Sequence, residues 1–190
     1  RLAKTLAEKN VKVAYEDDLV GMIWQDRPPL SENPAWLLAA EYAGESRESK
    51  IARIRDDMKN KGVDVFVLTS LDDIAWLLNL RGNDVNCNTV LLSYLVMTKS
   101  ELILFTNETK FSAADKAELA AAGVTMKEYD SVYEYVKGLS GVIWADPNKA
   151  NYKLVKSLPA AAEVRLGTNL TLLPKALKND TEIENMRKTH

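Results

Sequence analysis

The stretch that decides the fold is Val63-Asp-Val-Phe-Val-Leu-Thr-Ser-Leu-Asp-Asp-Ile-Ala-Trp-Leu-Leu-Asn-Leu-Arg-Gly-Asn-Asp-Val85. Val63 to Leu68 is a nearly continuous apolar run rich in branched side chains, the pattern of a strand covered on both faces. From Ser70 the period changes. Leu71, Ile74, Ala75 and Leu78 recur at spacings of three and four, which predicts a short helix with one buried face and Trp76 at its edge. Ser70 with Asp73 three places on predicts an N-cap whose acidic partner reaches the free amides of the first turn. Asn79 to Asp84 then ends the helix in a polar loop, with Gly82 placed for the left-handed conformation and Arg81 and Asp84 presented by the loop.

The same alternation extends both ways. Upstream, Ser46 caps a predicted helix whose Ile51, Ile54 and Met58 form an apolar stripe, with Gly62 at its exit. Downstream, Val90 to Thr98 and Glu101 to Thr106 read as strands joined only by Lys99-Ser100, a link that permits only an antiparallel pair. Ser112 and Asp115 open an alanine-rich helix closed by Gly123, Val124 to Lys127 follows, and Ser131 to Lys137 is a further short helix. Gly141 precedes a buried strand, Val142 to Ala145, and Asp146-Pro147-Asn148 turns the chain into a helix carrying Ala150, Leu154 and Val155. Ala162 to Leu166 is a last strand, and Leu172 to Leu177 is expected to be extended around Pro174. Helix, glycine and strand recur at Gly62, Gly123 and Gly141, so the fold class is α/β: a mixed, mostly parallel sheet with one antiparallel hairpin and flanking helices.

Three domain segments follow from the punctuation. Residues 1–44 read as the tail of a preceding domain, with a helix over Leu2 to Glu8, a short strand over Val11 to Tyr15 and a turn or two of helix within Asp17 to Trp24. A connector containing Pro28, Pro29 and Pro34 comes next, flanked by Trp24 and Trp36 as packing anchors. Residues 45–173 form a complete middle domain. Residues 174–190 are a linker and a helix, for which Thr181 and Glu184 are spaced as a capping box and which His190 ends. That helix reads equally as a plain terminal helix or as the first helix of a further domain.

The 190 residues carry 46% hydrophobic and 27% charged side chains and a formal net charge of −2, which suits a soluble globular protein with one sizeable core. No segment supplies the clustered cationic surface that nucleic acid requires. No apolar run approaches the roughly 20 residues of a membrane span, and nothing at Arg1 to Val20 is laid out like a signal peptide. The single cysteine, Cys87, cannot close an internal disulfide, which makes a reducing compartment, the cytosol, the default.

Chemistry within the chain is sparse. One histidine, His190, and one distant cysteine cannot build a typical zinc site, and nucleophilic triads lack an internal histidine. Adjacent acidic pairs such as Asp17-Asp18, Asp56-Asp57 and Asp72-Asp73 point apart on a helix or strand. What remains is the loop from Asn79 to Asn88. There Arg81 offers a planar fork of donors for a carboxylate or a backbone carbonyl, with Asn79, Asn83 and Asp84 to complete a polar rim. The alternative is that Arg81 pairs with Asp84 and ties the loop down. No catalytic or metal-binding residue is assigned.

The run Ile74-Ala-Trp-Leu-Leu-Asn-Leu-Arg-Gly-Asn-Asp-Val85 resembles the middle domain of the three-domain, cytosolic-type Xaa-Pro aminopeptidases. These belong to the creatinase/pita-bread metallopeptidase superfamily. Trp24-Gln-Asp-Arg-Pro-Pro29 is similar to that family's connector between its first two domains, Ser93-Tyr94 to the start of its hairpin strand, and Lys175 to His190 to the entry into its third domain. Asn88-Thr89 departs from the Asn-Pro common at that point. The resemblance implies a creatinase N-terminal, ribonuclease H-like fold. It further implies an enzyme that removes an N-terminal residue when proline stands second, with two divalent metals, manganese above all, in a third domain beyond these residues. On that basis the chain is non-catalytic. It walls the cleft and restricts substrate size, with Asn79, Arg81 and Asp84 as substrate-path or domain-interface residues. The partner would be a proline-containing peptide, with no nucleic acid or membrane involved, and any homodimer would be built through the further domain. A free-standing α/β interaction module is the alternative function.

Overall fold

In the computed structural model, which describes residues 2–14 and 16–189 with side chains from residue 5 onward, the chain divides into two units, Arg1–Leu30 and Ser31–His190. The first holds helices α1 (Leu2–Ala7) and α2 (Leu19–Ile23). Asp18 caps α2 by accepting from the Gly21 amide at 2.9 Å and also accepts from Arg27 at 2.5 Å. The strand expected over Val11 to Tyr15 does not form among its described residues, and Tyr15 lies outside them.

In the second unit the order is β1 (Trp36–Leu37), α3 (Ala40–Ala43), α4 (Arg47–Asn60), β2 (Val65–Leu68), α5 (Leu71–Leu78), β3 (Leu80–Arg81), β4 (Tyr94–Thr98) and β5 (Leu102–Phe105). There follow α6 (Ala113–Ala121), β6 (Val124–Lys127), α7 (Val132–Tyr135), β7 (Val142–Ala145), α8 (Tyr152–Ser157), β8 (Glu163–Leu166), α9 (Leu172–Ala176) and α10 (Asp180–Thr189). Six strands make one sheet in the order β6-β5-β4-β2-β7-β8. β4 runs antiparallel to both its neighbours, and the β2–β7, β5–β6 and β7–β8 pairs are parallel. The mixed sheet with a single hairpin, β4–β5 through Lys99-Ser100, is the architecture that the sequence pattern implies.

All four residues of β2 are buried, because each face of the sheet carries its own core. Phe66 and Leu68 pack with Ile51, Ile54 and Met58 of α4, Ile74 of α5 and Leu119 of α6. Val65 and Val67 face the other way, toward Val132 of α7, Val136 and Leu154 of α8. A strand covered on both sides cannot show polar alternation, which is why Val63 to Leu68 reads as an unbroken apolar run.

Several local expectations are corrected. Ser70 occupies the N-cap position of α5, but its side chain makes no capping bond. Gly82 is not left-handed; Asn79 is, at φ 50°, and it closes α5. Gly82 is needed for close approach instead, since a Cβ there would lie 3.1 Å from the Val90 carbonyl and 3.3 Å from Leu91 Cα. Leu172 to Ala176 is helical rather than extended. Pro174 is the third residue of α9, where its missing N–H would have no intrahelical acceptor in any case. The last helix is capped by Asn179 and Glu182, whose side chains accept from each other's amides at 2.9 Å, two residues before the expected Thr181 and Glu184. The expected stop at His190 lies outside the described residues.

Candidate functional site

The four carbonyls at the end of any helix lack intrahelical donors and carry the negative end of its dipole. In α5 three cations meet them. Arg47 Nε donates to Leu78 O at 3.1 Å, Lys50 Nζ to Trp76 O at 3.0 Å, and Arg81 Nη1 to Ala75 O at 3.0 Å and Leu80 O at 2.8 Å. Asn79 completes the joint, accepting from Lys50 Nζ at 2.7 Å and donating to Glu45 O at 2.9 Å. Lys50 is only 2% exposed and also sits 4.8 Å from the centre of the Trp76 ring. Burial drives its pKa from 10.5 down to about 8, against the pull of Glu182 and Glu45. Burial likewise lowers the Arg81 pKa, opposed by Glu182.

Arg81 lies in β3, paired with Trp36, rather than in the expected loop, and it does not pair with Asp84. Asp84 turns inward and receives Lys110 Nζ at 2.7 Å on both oxygens, while its Oδ2 accepts the Leu92 amide at 2.8 Å. The two side chains are 0% and 2% exposed. The loop is therefore fastened to the 3₁₀ turn Glu108–Lys110 by a fully enclosed ion pair. Arg81 also lines a cleft of about 170 Å³ together with Asp72, Asn88 and Thr89. Of the three expected site residues, Asn79 and Arg81 share the α5 joint and Asp84 belongs to a separate one.

The sheet changes direction at β2, whose neighbours are β4 on one side and β7 on the other. Open α/β sheets commonly take ligands in the crevice at the carboxyl ends of such strands. Here the chain fills it with its own side chains. Asp73 accepts from Asn169 Nδ2 at 2.8 Å and ion-pairs with Lys175, and Asp146 accepts the Asn169 amide at 3.3 Å. Asp73, Asp146 and Asn169 are 3%, 7% and 5% exposed.

A metal pair does not fit these residues. The deeply buried carboxylates of Asp73 and Asp84 already hold Lys175 and Lys110. Among the described residues no group of three or more His, Cys, Asp or Glu side chains is arranged to hold an ion.

Sequence reasoning missed Arg47, Lys50 and Lys110. A signal existed for the first two. Arg47 and Lys50 lie at the three- and four-residue spacings of Ile51, Ile54 and Met58, so two bases stand on an apolar stripe, where only a buried acceptor can satisfy them. Lys110 carries no comparable mark, because its partner is 26 residues away.

Helices on both faces of a mixed sheet, with its interior charges tying helix ends and loops, define the class: an α/β scaffold domain. The chain belongs to the creatinase/prolidase N-terminal domain family, whose model matches residues 26–182. It is 33% identical to Xaa-Pro aminopeptidase 1 of Dictyostelium discoideum, over 97% of this chain and 31% of that protein. With a probable Xaa-Pro aminopeptidase P of Laccaria bicolor it shares 34% identity over 100% of this chain and 30% of that one. The chain thus spans about a third of the length of the curated relatives it matches. Among solved structures it superposes on X-prolyl aminopeptidase from Caenorhabditis elegans with a TM-score of 0.92 at 29% identity, over 99% of this chain and 32% of that one. That protein is described as a cytosolic enzyme with a di-nuclear active site. The Xaa-Pro dipeptidase of Bacillus anthracis shares the fold, with a TM-score of 0.56 at 18% identity over 75% of this chain and 39% of that one. Among the described residues no helix is long and apolar enough to cross a membrane.

Proposed function

We propose that this chain is the N-terminal portion of a metal-dependent Xaa-Pro aminopeptidase, an enzyme that removes the N-terminal residue from peptides with proline second. Residues 1–44 are the end of a first domain and its connector, 45–173 the middle domain, and 174–190 a linker and the opening helix of the catalytic domain. The portion described is inactive by itself and works as casing, walling the cleft and restricting peptide size. Two divalent ions, manganese foremost, would be held by the catalytic portion, which lies outside these residues. The cytosol is the expected compartment and a proline-containing peptide the expected partner. Nucleic acid and membrane play no part, and homodimers would form through the catalytic domain.

The observation that carries this reading is the superposition on the C. elegans enzyme across 99% of the chain at a TM-score of 0.92. Asn79, Arg81 and Asp84 act in it as domain-interface and substrate-path residues by fixing backbone. Each bonds main chain or a buried lysine; Arg81 also lines the cleft beside Asp72 and Asn88, and Asn79 a second one beside Arg47 and Glu118. The test is kinetic and uses the full-length protein. Peptides with proline second should be trimmed and those with alanine second left intact, with kcat/KM falling as the peptide lengthens. In Arg81→Ala the length dependence should weaken. Equal turnover of proline and alanine peptides would contradict the reading, and an unchanged length profile would make Arg81 purely structural.

A further inference from the structure

The six-stranded sheet ends on β8, and among the described residues no strand lies beyond it. In the parallel pairing with β7, the amides of Glu163 and Gly167 donate to Gly141 O and Ala145 O, each at 3.1 Å. Successive residues of a strand point their N–H and C=O groups to opposite edges. The odd-numbered positions therefore bond β7, and Val164 and Leu166 turn their main-chain groups to the open side. Such an edge is a template for another strand. The opposite edge, β6, carries the exposed Lys127, a charge that discourages pairing, whereas β8 has no lysine.

The side chains of β8 match a second copy of themselves. Glu163 and Arg165 project from one face, where Arg165 Nε donates to Glu163 Oε1 at 2.7 Å and Nη1 to Lys61 O at 3.0 Å, so the strand carries no net charge. On the other face Ala162 packs with Val132 of α7 and Leu154 of α8. Alternation puts Val164 and Leu166 beside it, 36% and 55% exposed. An antiparallel partner centred on Val164 sets Val164 opposite Val164, Ala162 opposite Leu166 and Glu163 opposite Arg165. Apolar side chains then meet on one face. On the other, two oppositely charged pairs form at the positions without hydrogen bonds, where side chains approach most closely. A slip of one residue would set Val164 against Arg165 and lose both pairs.

We infer that β8 is a contact between copies of this chain: the same strand of a second copy adds antiparallel to it in this register and joins the two sheets into one. The contact is isologous and closes on itself. It is separate from any contact through the catalytic portion and does not depend on the aminopeptidase reading. A seam of four residues a side is small beside a permanent interface, so the association is weak and rises with concentration.

The test is disulfide cross-linking of the full-length protein in a cysteine-free background that includes Cys87→Ser. Val164→Cys places two thiols at the centre of the seam, with Cα atoms about 5.5 Å apart, inside disulfide range. Glu163→Cys places them about 8 Å apart, outside it. Mild oxidation should yield about tenfold more covalent dimer from Val164→Cys than from Glu163→Cys, read on denaturing gels. Equal yields, or none from either, would overturn the inference. Charge reversal gives a measurement without thiols. Glu163→Arg or Arg165→Glu alone should abolish the rise of sedimenting mass with concentration, and the two together should restore it. A rise that persists in the single variants would overturn the inference. So would Val164 and Leu166 amides protected from hydrogen exchange equally at every concentration, a result that assigns the edge to another strand of the same polypeptide. Neither assay reads cleavage of Xaa-Pro peptides, so failure here leaves the aminopeptidase reading standing.

Discussion

Lys110 and Asp84 show how single residues hold this structure. Their side chains are enclosed and meet at 2.7 Å, and an ion pair so placed is worth little net but costs much to break from one side. Lys110→Met should therefore lower unfolding stability by about 3–5 kcal/mol, measured by urea titration. Adding Asp84→Leu should recover most of that loss, short of the Leu92 amide left without its acceptor. A single variant as stable as the parent would contradict this account.

Lys50 gives a pH signature. The unfolded chain holds its proton up to about 10.5, whereas the folded protein, by burial, releases it near 8. Between those values the unfolded state binds more protons, so the contribution of this residue to stability rises with pH. Glu182, Glu45, Arg81 and Arg53 are the charges that act on it. Relative to Lys50→Met, the parent should gain stability between pH 7.5 and 9.5, about the span from below the lower value to within the upper. A pH-independent difference would show that Lys50 titrates normally. Lys110 was not legible as a site, because its partner lies far along the chain, whereas Lys50 was marked by its place on the apolar stripe of α4, though not by its partner.

At the scale of elements, Asn179 and Asn185 donate to the carbonyls of Ala43 and Tyr42 at 2.9 and 3.1 Å, clasping α10 to α3, and the clasp depends on Gly44. Its φ is +72°, and a Cβ there would run into the Asn179 side chain. Gly44→Ala should therefore strain the left-handed end of α3 by about 1–2 kcal/mol and displace Asn179 from Ala43 O. Hydrogen exchange should accelerate over residues 179–189 and stay unchanged in β2 and β4; unchanged exchange in α10 would refute the clasp.

Most elements are visible in the sequence because their signals are local. Ser112 and Asp115 open α6 as expected, through a capping box, and Ser46 caps α4 by accepting from Ser49 N. Where signals conflict, tertiary structure decides. Pro174 argued against helix but sits in a first turn. Asp73 looked like a cap and instead holds Asn169 and Lys175, which follow β8 in the chain. The two-residue pairing of β1 with β3 left no sequence signal at all, being too short for a period.

For the whole molecule, the doubly covered β2 and the two-residue link at Lys99-Ser100 were enough to give the mixed sheet, since a covered strand and an obligatory hairpin leave few topologies. The order β6-β5-β4-β2-β7-β8 was not readable, because strand neighbours are chosen by helices packing at long range. That order also explains why the crevice beside β2 takes no part in the proposed chemistry: Asp73, Asn169 and Asp146 close it from within.

The most direct measurement is a side-by-side assay of the full-length protein and of residues 1–190 alone, with manganese and a peptide bearing proline in second position. The full-length protein should release the N-terminal amino acid, and residues 1–190 should release none at any metal concentration. Turnover by residues 1–190, or none by the metal-loaded full-length protein, would contradict the view of this chain as the casing of a Xaa-Pro aminopeptidase.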